Sequence, residues 1–175
     1  MTRKSLDFKT FTYKAQALKY AADENLKLFL LQFKKKERGA DEYKNVALYN
    51  SSMLLYAVSV ENLLKAIGLF QEQESIKSGE IRTYKDFMNK WKGRSNGHNY
   101  SKLIDYYNID IREDENKVLL ELQNFSIWAG RFPFPLSDSE IDKFEDNLLS
   151  PGKLNAKYEN VLTDLIERYL KIMKV

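Results

Sequence analysis

Apolar residues recur every three or four positions near the start of the chain, at Phe11, Ala15, Leu18, Ala22, Leu26, Leu30 and Phe33. That period puts them on one face of a long helix, expected over about 8–36. Lys34, Lys35, Lys36 and Arg38, followed by Gly39, fit its end, because cations complement the dipole in a last turn and glycine accepts a left-handed cap. A second long helix is expected from about Asp41 to Gln71. It has Val46, Met53, Ala57, Val60, Leu64 and Ile67 on one face and apolar residues on most others, the pattern of a central, buried element.

Residues 72–98 read as a polar connector, a short helix through Tyr84-Lys85-Asp86-Phe87-Met88 and a loop marked by Gly93 and Asn96-Gly97. A short helix follows through Leu103 and Ile104 to about Tyr107. Glu113, Asp114 and Glu115 suit the first turn of the next long helix, which uses Val118, Leu119, Leu122, Phe125 and Ala129 and stops at Gly130-Arg131-Phe132-Pro133-Phe134-Pro135. Ser137-Asp138-Ser139-Glu140 has the form of a capping box opening a short helix to about Leu149. Pro151-Gly152 breaks it, and a last helix is expected from about Leu154 to Lys174. With no alternating strand pattern and no internal repeat, the order predicts an all-α, single-domain helical bundle of about five to seven helices, with C-terminal helices at 138–174 packed on the rest.

Composition narrows the chemistry. A chain of 175 residues suits one core. It has no cysteine, which excludes a disulfide framework, a thiolate zinc site and a cysteine nucleophile. One histidine, His98, and the lack of HExxH or EF-hand spacing point away from a metal site, and no cofactor is expected. The N-terminal residues are polar and lead into an amphipathic helix rather than a signal-peptide core. The apolar stretch from Met53 to Phe70 contains Glu61, Asn62 and Lys65, which suits a buried helix better than a membrane span. A cytoplasmic protein is expected.

The net charge of +3 is mild, but it is unevenly placed. Between Lys77 and Lys102 lie seven basic residues against two acidic ones, so the positive field is concentrated in one segment. Tyr84, Trp91 and Tyr100 are interleaved there with Lys and Arg. They could stack on bases beside neutralised phosphates, as in single-strand binding, or pack inward beneath a solvated basic loop. Glu61 and Lys65, four residues apart on one helix, read by spacing alone as a surface ion pair worth about a few tenths of a kcal/mol. His98, next to a turn, is the first candidate for acid–base work at neutral pH, and equally a capping or packing residue.

Three segments together carry a resemblance: Ala57-Val58-Ser59-Val60-Glu61-Asn62-Leu63-Leu64-Lys65-Ala66, then Gly97-His98-Asn99-Tyr100-Ser101-Lys102-Leu103, then Gly130-Arg131-Phe132-Pro133. In this order, over roughly 41–135, the chain resembles the HEPN domain family, whose marks are Glu-x-x-x-Lys on a buried helix, Gly-His before a helix, and Arg-aromatic-Pro at the end of the next long one. The resemblance implies a HEPN-like helical bundle, commonly a homodimer, tied to RNA or nucleotides in prokaryotic phage defence or toxin–antitoxin systems. An antitoxin or a nucleotidyltransferase would be the partner protein. It groups Glu61, Lys65, His98 and Arg131 as a polar site, with Lys65, Arg94, His98 and Arg131 for phosphate and Trp91 and Tyr100 for stacking. The family's ribonucleases pair an Arg with a His that follows after four to six intervening residues. Here Leu136, Ser137 and Asp138 stand where Arg131 would need that His, and Arg94 precedes His98 with three residues between. The reading is therefore of nucleotide or RNA binding. A dimeric metal-independent ribonuclease using His98 and Arg131 is the first alternative, and a structural adaptor bundle the second.

Overall fold

The computed structural model describes residues 3–34, 42–93, 97–126, 141 and 158–175. Seven α-helices and no strand lie among the described residues, so the chain is an all-α bundle. After a 3-10 turn at Lys4–Leu6, α1 spans Phe8–Lys34 and α2 spans Glu42–Gln71. Asp7 opens α1 by accepting from the Lys9 amide at 3.1 Å, which satisfies one of the donors a helix start leaves open.

α1 and α2 form a long antiparallel hairpin, and polar groups set its register as firmly as apolar ones. Asn25 donates to Ser51 Oγ at 3.1 Å, the Tyr56 hydroxyl donates to Asp23 at 2.7 Å, and the buried Ser59 hydroxyl donates to the Ala15 carbonyl at 2.7 Å. Each bond satisfies a group that would otherwise lose its water on packing. α2 is buried on most of its circumference from Ser52 to Leu69. It is also long and apolar enough, by length and composition, to cross a membrane, yet two thirds of that stretch is packed inside the protein.

The expected connector after Gln71 is more helical than its polar composition suggests. α3 spans Gln73–Ser78 and ends at Gly79 in a left-handed cap (φ 80°). α4 spans Tyr84–Trp91 and starts with a capping box, in which Asp86 N donates to Thr83 Oγ1 while Thr83 N donates to the Asp86 carboxylate. α5 spans Tyr100–Tyr106 with Asn99 as its cap. α6 spans Glu113–Asn124 and widens into a π-type turn at Phe125 and Ser126. α7 spans Tyr158–Met173. The expected ends at Lys36 and Ala129, the helix at 137–149 apart from the helical Ile141, and the start at Leu154 fall outside the described residues.

Buried side chains from α1, α2, α4, α5, α6 and α7 meet in one cluster, with Met53, Tyr56, Leu63, Leu64, Phe87, Leu103, Leu122 and Leu162 near its centre. α7 is fixed to α6 by charge as well. The fully buried Glu115 receives Arg168 at 2.5 Å and Arg112 at 2.8 Å, and Tyr169 donates to the Asp110 carbonyl at 2.8 Å. A buried carboxylate needs this much compensation, since an uncompensated charge there would cost several kcal/mol, roughly.

Candidate functional site

Glu61 lies on the buried side of α2, one turn before Lys65. The two form an ion pair with Lys65 Nζ 2.5 Å from Glu61 Oε1, and the side chains are only 9% and 10% exposed. The spacing alone suggested a surface pair; the structure corrects this, because α4, α5 and the end of α6 close over that side of α2. The second carboxylate oxygen, Oε2, takes two further partners. His98 Nδ1 approaches at 2.8 Å from the loop before α5, and the Ser126 hydroxyl donates at 3.0 Å from the π-type turn after α6. One carboxylate thus gathers donors from its own helix, from a loop 37 residues away and from an element 65 residues away.

Two tyrosines frame the cluster. The buried Tyr100 hydroxyl donates to the Ala57 carbonyl at 2.7 Å, one turn before Glu61. Burial, and then the Glu61 charge, push its ionisation far above the ordinary phenol range. Tyr84, from the first turn of α4, hydrogen-bonds Lys65 and stacks on Phe11 of α1 with ring centroids 5.6 Å apart. Burial raises its ionisation too, against the opposing pull of the Lys65 ammonium.

Local chain geometry delivers His98. Gly97 adopts φ +89°, and a Cβ there would meet Met88 Cε at 2.5 Å. A side-chain-bearing residue would be strained at this position, so the glycine before His98 is required by the backbone. Asn99 then caps α5 by accepting from the Lys102 amide at 3.0 Å, and Gln123 of α6 accepts from the Tyr100 amide at 2.8 Å. His98 is therefore held between a strained turn and a capped helix, with 38% of its side chain exposed.

Burial pushes the Glu61 carboxyl up, but the Lys65 ammonium and the His98 and Lys65 hydrogen bonds outweigh it, and the net shift is down. The carboxylate is thus ionised at neutral pH and can only accept, so His98 Nδ1 carries the proton of their shared bond. In the neutral ring the lone pair then resides on Nε2, the arrangement of an imidazole oriented by a carboxylate to accept a proton; donation from Nε2 to an anion requires the doubly protonated ring. Lys65 is directed at Glu61 and Tyr84 and has little surface to offer a ligand. In this geometry it holds the carboxylate in place.

Three of the four grouped residues have thus been located, and Glu61, Lys65 and His98 meet in one cluster. Arg131 and Arg94 lie outside the described residues. Trp91 and Tyr100 are 5% and 2% exposed, with Trp91 packed edge-on against Phe87 at 6.2 Å, so neither ring offers a face to a base in this structure; in the basic segment these aromatics face inward. Ser126 was not among the expected site residues. Its signal is a hydroxyl on the apolar face of α6, following Leu119 and Leu122 at i+7 and i+4. Two grooves among the described residues, of about 240 and 420 Å³, lie elsewhere, one between the N-terminal turn and α3 and the other along α1 near Glu159.

Compared with protein-family models, curated proteins and solved structures, the chain matches none.

Proposed function

We propose that this chain is a HEPN-like helical protein that binds RNA or a nucleotide, with His98 making the central polar contact from the mouth of the Glu61 cluster. The observation that carries the reading is the 2.8 Å bond between His98 and a buried glutamate that is itself held by Lys65 and Ser126. In its doubly protonated form the fixed imidazole, with 38% of its side chain exposed, can donate Nε2–H to a phosphate oxygen. The segment from Lys77 to Lys102 carries an excess of basic residues, although Lys77 is paired with Glu74 and Lys90 with Glu72 and Glu80, and its remaining positive charge would attract phosphates. The family and the defence or toxin–antitoxin setting rest on the sequence resemblance alone.

A second reading is favoured by one specific observation. The proton shared with Glu61 fixes the His98 tautomer, as a general base in a metal-independent ribonuclease would require. One experiment separates the two. Purified wild type and His98→Ala are incubated with a mixed RNA pool and with nucleotides, with binding measured at two salt concentrations and cleavage read on a gel. The binding reading expects salt-sensitive retention, weakened at least tenfold by His98→Ala, and no cleavage. Cleavage by the wild type that disappears in the folded variant would establish the ribonuclease instead. Absence of both signals would overturn the site and leave an adaptor bundle.

A further inference from the structure

The two oxygens of the Glu61 carboxylate are unequally occupied. Oε1 is taken by the Lys65 ammonium, whereas Oε2 receives both His98 Nδ1 at 2.8 Å and the Ser126 hydroxyl at 3.0 Å. Glu61 and Ser126 are only 7% and 5% exposed, so little water competes for that oxygen. In such a low-dielectric site, hydrogen bonds to one acceptor polarise each other strongly. A second donor on Oε2 draws away part of the negative charge that the first would otherwise meet. The serine hydroxyl and the imidazole N–H therefore share one source of charge.

We propose that Ser126 tunes the proton affinity of His98 through the shared Oε2 of Glu61, holding the imidazole less basic than the carboxylate alone would make it. The sign follows from the arrangement. A carboxylate beside a histidine favours the imidazolium, and a hydroxyl donating to the same oxygen offsets part of that effect.

The other groups that bear on the ring's charge, among the described residues, come from three helices and from the loop itself. Lys65 of α2 is bound to Oε1 and to Tyr84 of α4. The Tyr100 hydroxyl of α5 donates to the Ala57 carbonyl, and burial raises the ionisation of both tyrosines, so neither gains charge near neutral pH. In the loop, the Lys102 ammonium donates to the Lys92 carbonyl at 3.3 Å. Of all these groups, Ser126 is the one neutral donor on the oxygen that faces His98. Removing it changes the field at the ring without changing any formal charge.

The test needs no ligand. His98 is the only histidine, so its ring signals in NMR spectra give a single titration curve. Ser126→Ala is expected to raise the midpoint by roughly half a pH unit or more. Ser126→Thr, which keeps the hydroxyl, should restore the wild-type midpoint, and Glu61→Gln, which removes the carboxylate charge, should move it down. A serine that only packs would lower the melting temperature in Ser126→Ala and leave the midpoint where it was. That result, or a downward shift in Ser126→Ala, would overturn the proposal.

The consequence for binding rests on the anion-binding reading above, in which affinity follows the imidazolium fraction. It is measured with a short single-stranded RNA, whose phosphodiesters keep their charge across the neutral range. Above the midpoint, Ser126→Ala should bind this RNA about threefold more tightly than wild type, the same half unit expressed as imidazolium fraction. A shifted titration without RNA binding in any variant would sustain the tuning by Ser126 and remove RNA as the ligand.

Discussion

Glu61 shows how much one residue can depend on its surroundings. Replacing it by Gln leaves Lys65 without a counter-charge where only 10% of that side chain reaches solvent, and breaking a buried pair from one side costs about 3 kcal/mol or more. Thermal unfolding of Glu61→Gln at pH 7 is expected about 6–12 °C below wild type. The sign of the pH dependence follows from the lowered carboxyl, whose ordinary value is 4.5. The stabilisation from a depressed carboxyl is fully present above its unfolded value and is lost as the pH falls through the folded one. The stability gap between the two proteins should hold from pH 7 to about 5 and close below; a gap unchanged down to pH 3 would mean the charge contributes nothing. Gly97→Ala tests the delivery of His98. With φ +89° and Met88 Cε 2.5 Å from the added Cβ, it should cost about 1–3 kcal/mol and lengthen the His98–Glu61 bond. Because His98 is the only histidine, its ring Nδ1–H signal in NMR spectra can be assigned without ambiguity. That signal should shift or vanish in Gly97→Ala, and an unchanged spectrum would refute the role given to the glycine.

At the scale of elements, each helix is secured by a different balance of forces. α2 relies on burial around most of its circumference, whereas α4 depends on its capping box. α7 is joined to α6 through Arg168, which reaches Glu115 at 2.5 Å and Asp110 at 3.0 Å. Arg168→Ala removes a charge-assisted bond to a fully buried carboxylate and leaves Arg112 to compensate it alone, a loss of about 2 kcal/mol. Amide hydrogen exchange should accelerate along α7 while the middle of the α1–α2 hairpin keeps its protection. Uniform acceleration in both would show that α7 is not a separately opening element.

For the whole molecule, the continuity of the core has a measurable consequence. Side chains from six helices share one buried cluster, and Ile76 of the short α3 packs against it, so no described helix has an apolar base of its own. Unfolding by urea is expected as one cooperative transition, with far-UV and near-UV circular dichroism giving the same midpoint. Two separated midpoints would divide the molecule into independent parts. The same continuity ties the candidate site to the fold, since the partners of Glu61 come from α2, from the loop before α5 and from the turn after α6.

The sequence by itself determined the long helices α1, α2 and α6, because their apolar period is a local property that survives in any environment, whereas it read α3 as a connector. It determined the central place of α2, whose apolar residues cover most of its circumference, and it marked Glu61, Lys65 and His98 as worth relating. Only the tertiary structure decided that Glu61 and Lys65 are buried, since an i,i+4 spacing fixes a shared face but not what packs over it. The inward turn of Trp91 and Tyr100 was decided the same way, because an aromatic beside lysines satisfies either a base or a core. Ser126 shares the apolar face of Leu119 and Leu122 by its spacing, but only the packing of α6 against α2 decided that its hydroxyl meets Glu61. Contacts such as His98 to Glu61, 37 residues apart, depend on how helices pack, and packing is settled by the sum of all side chains rather than by the spacing of a few.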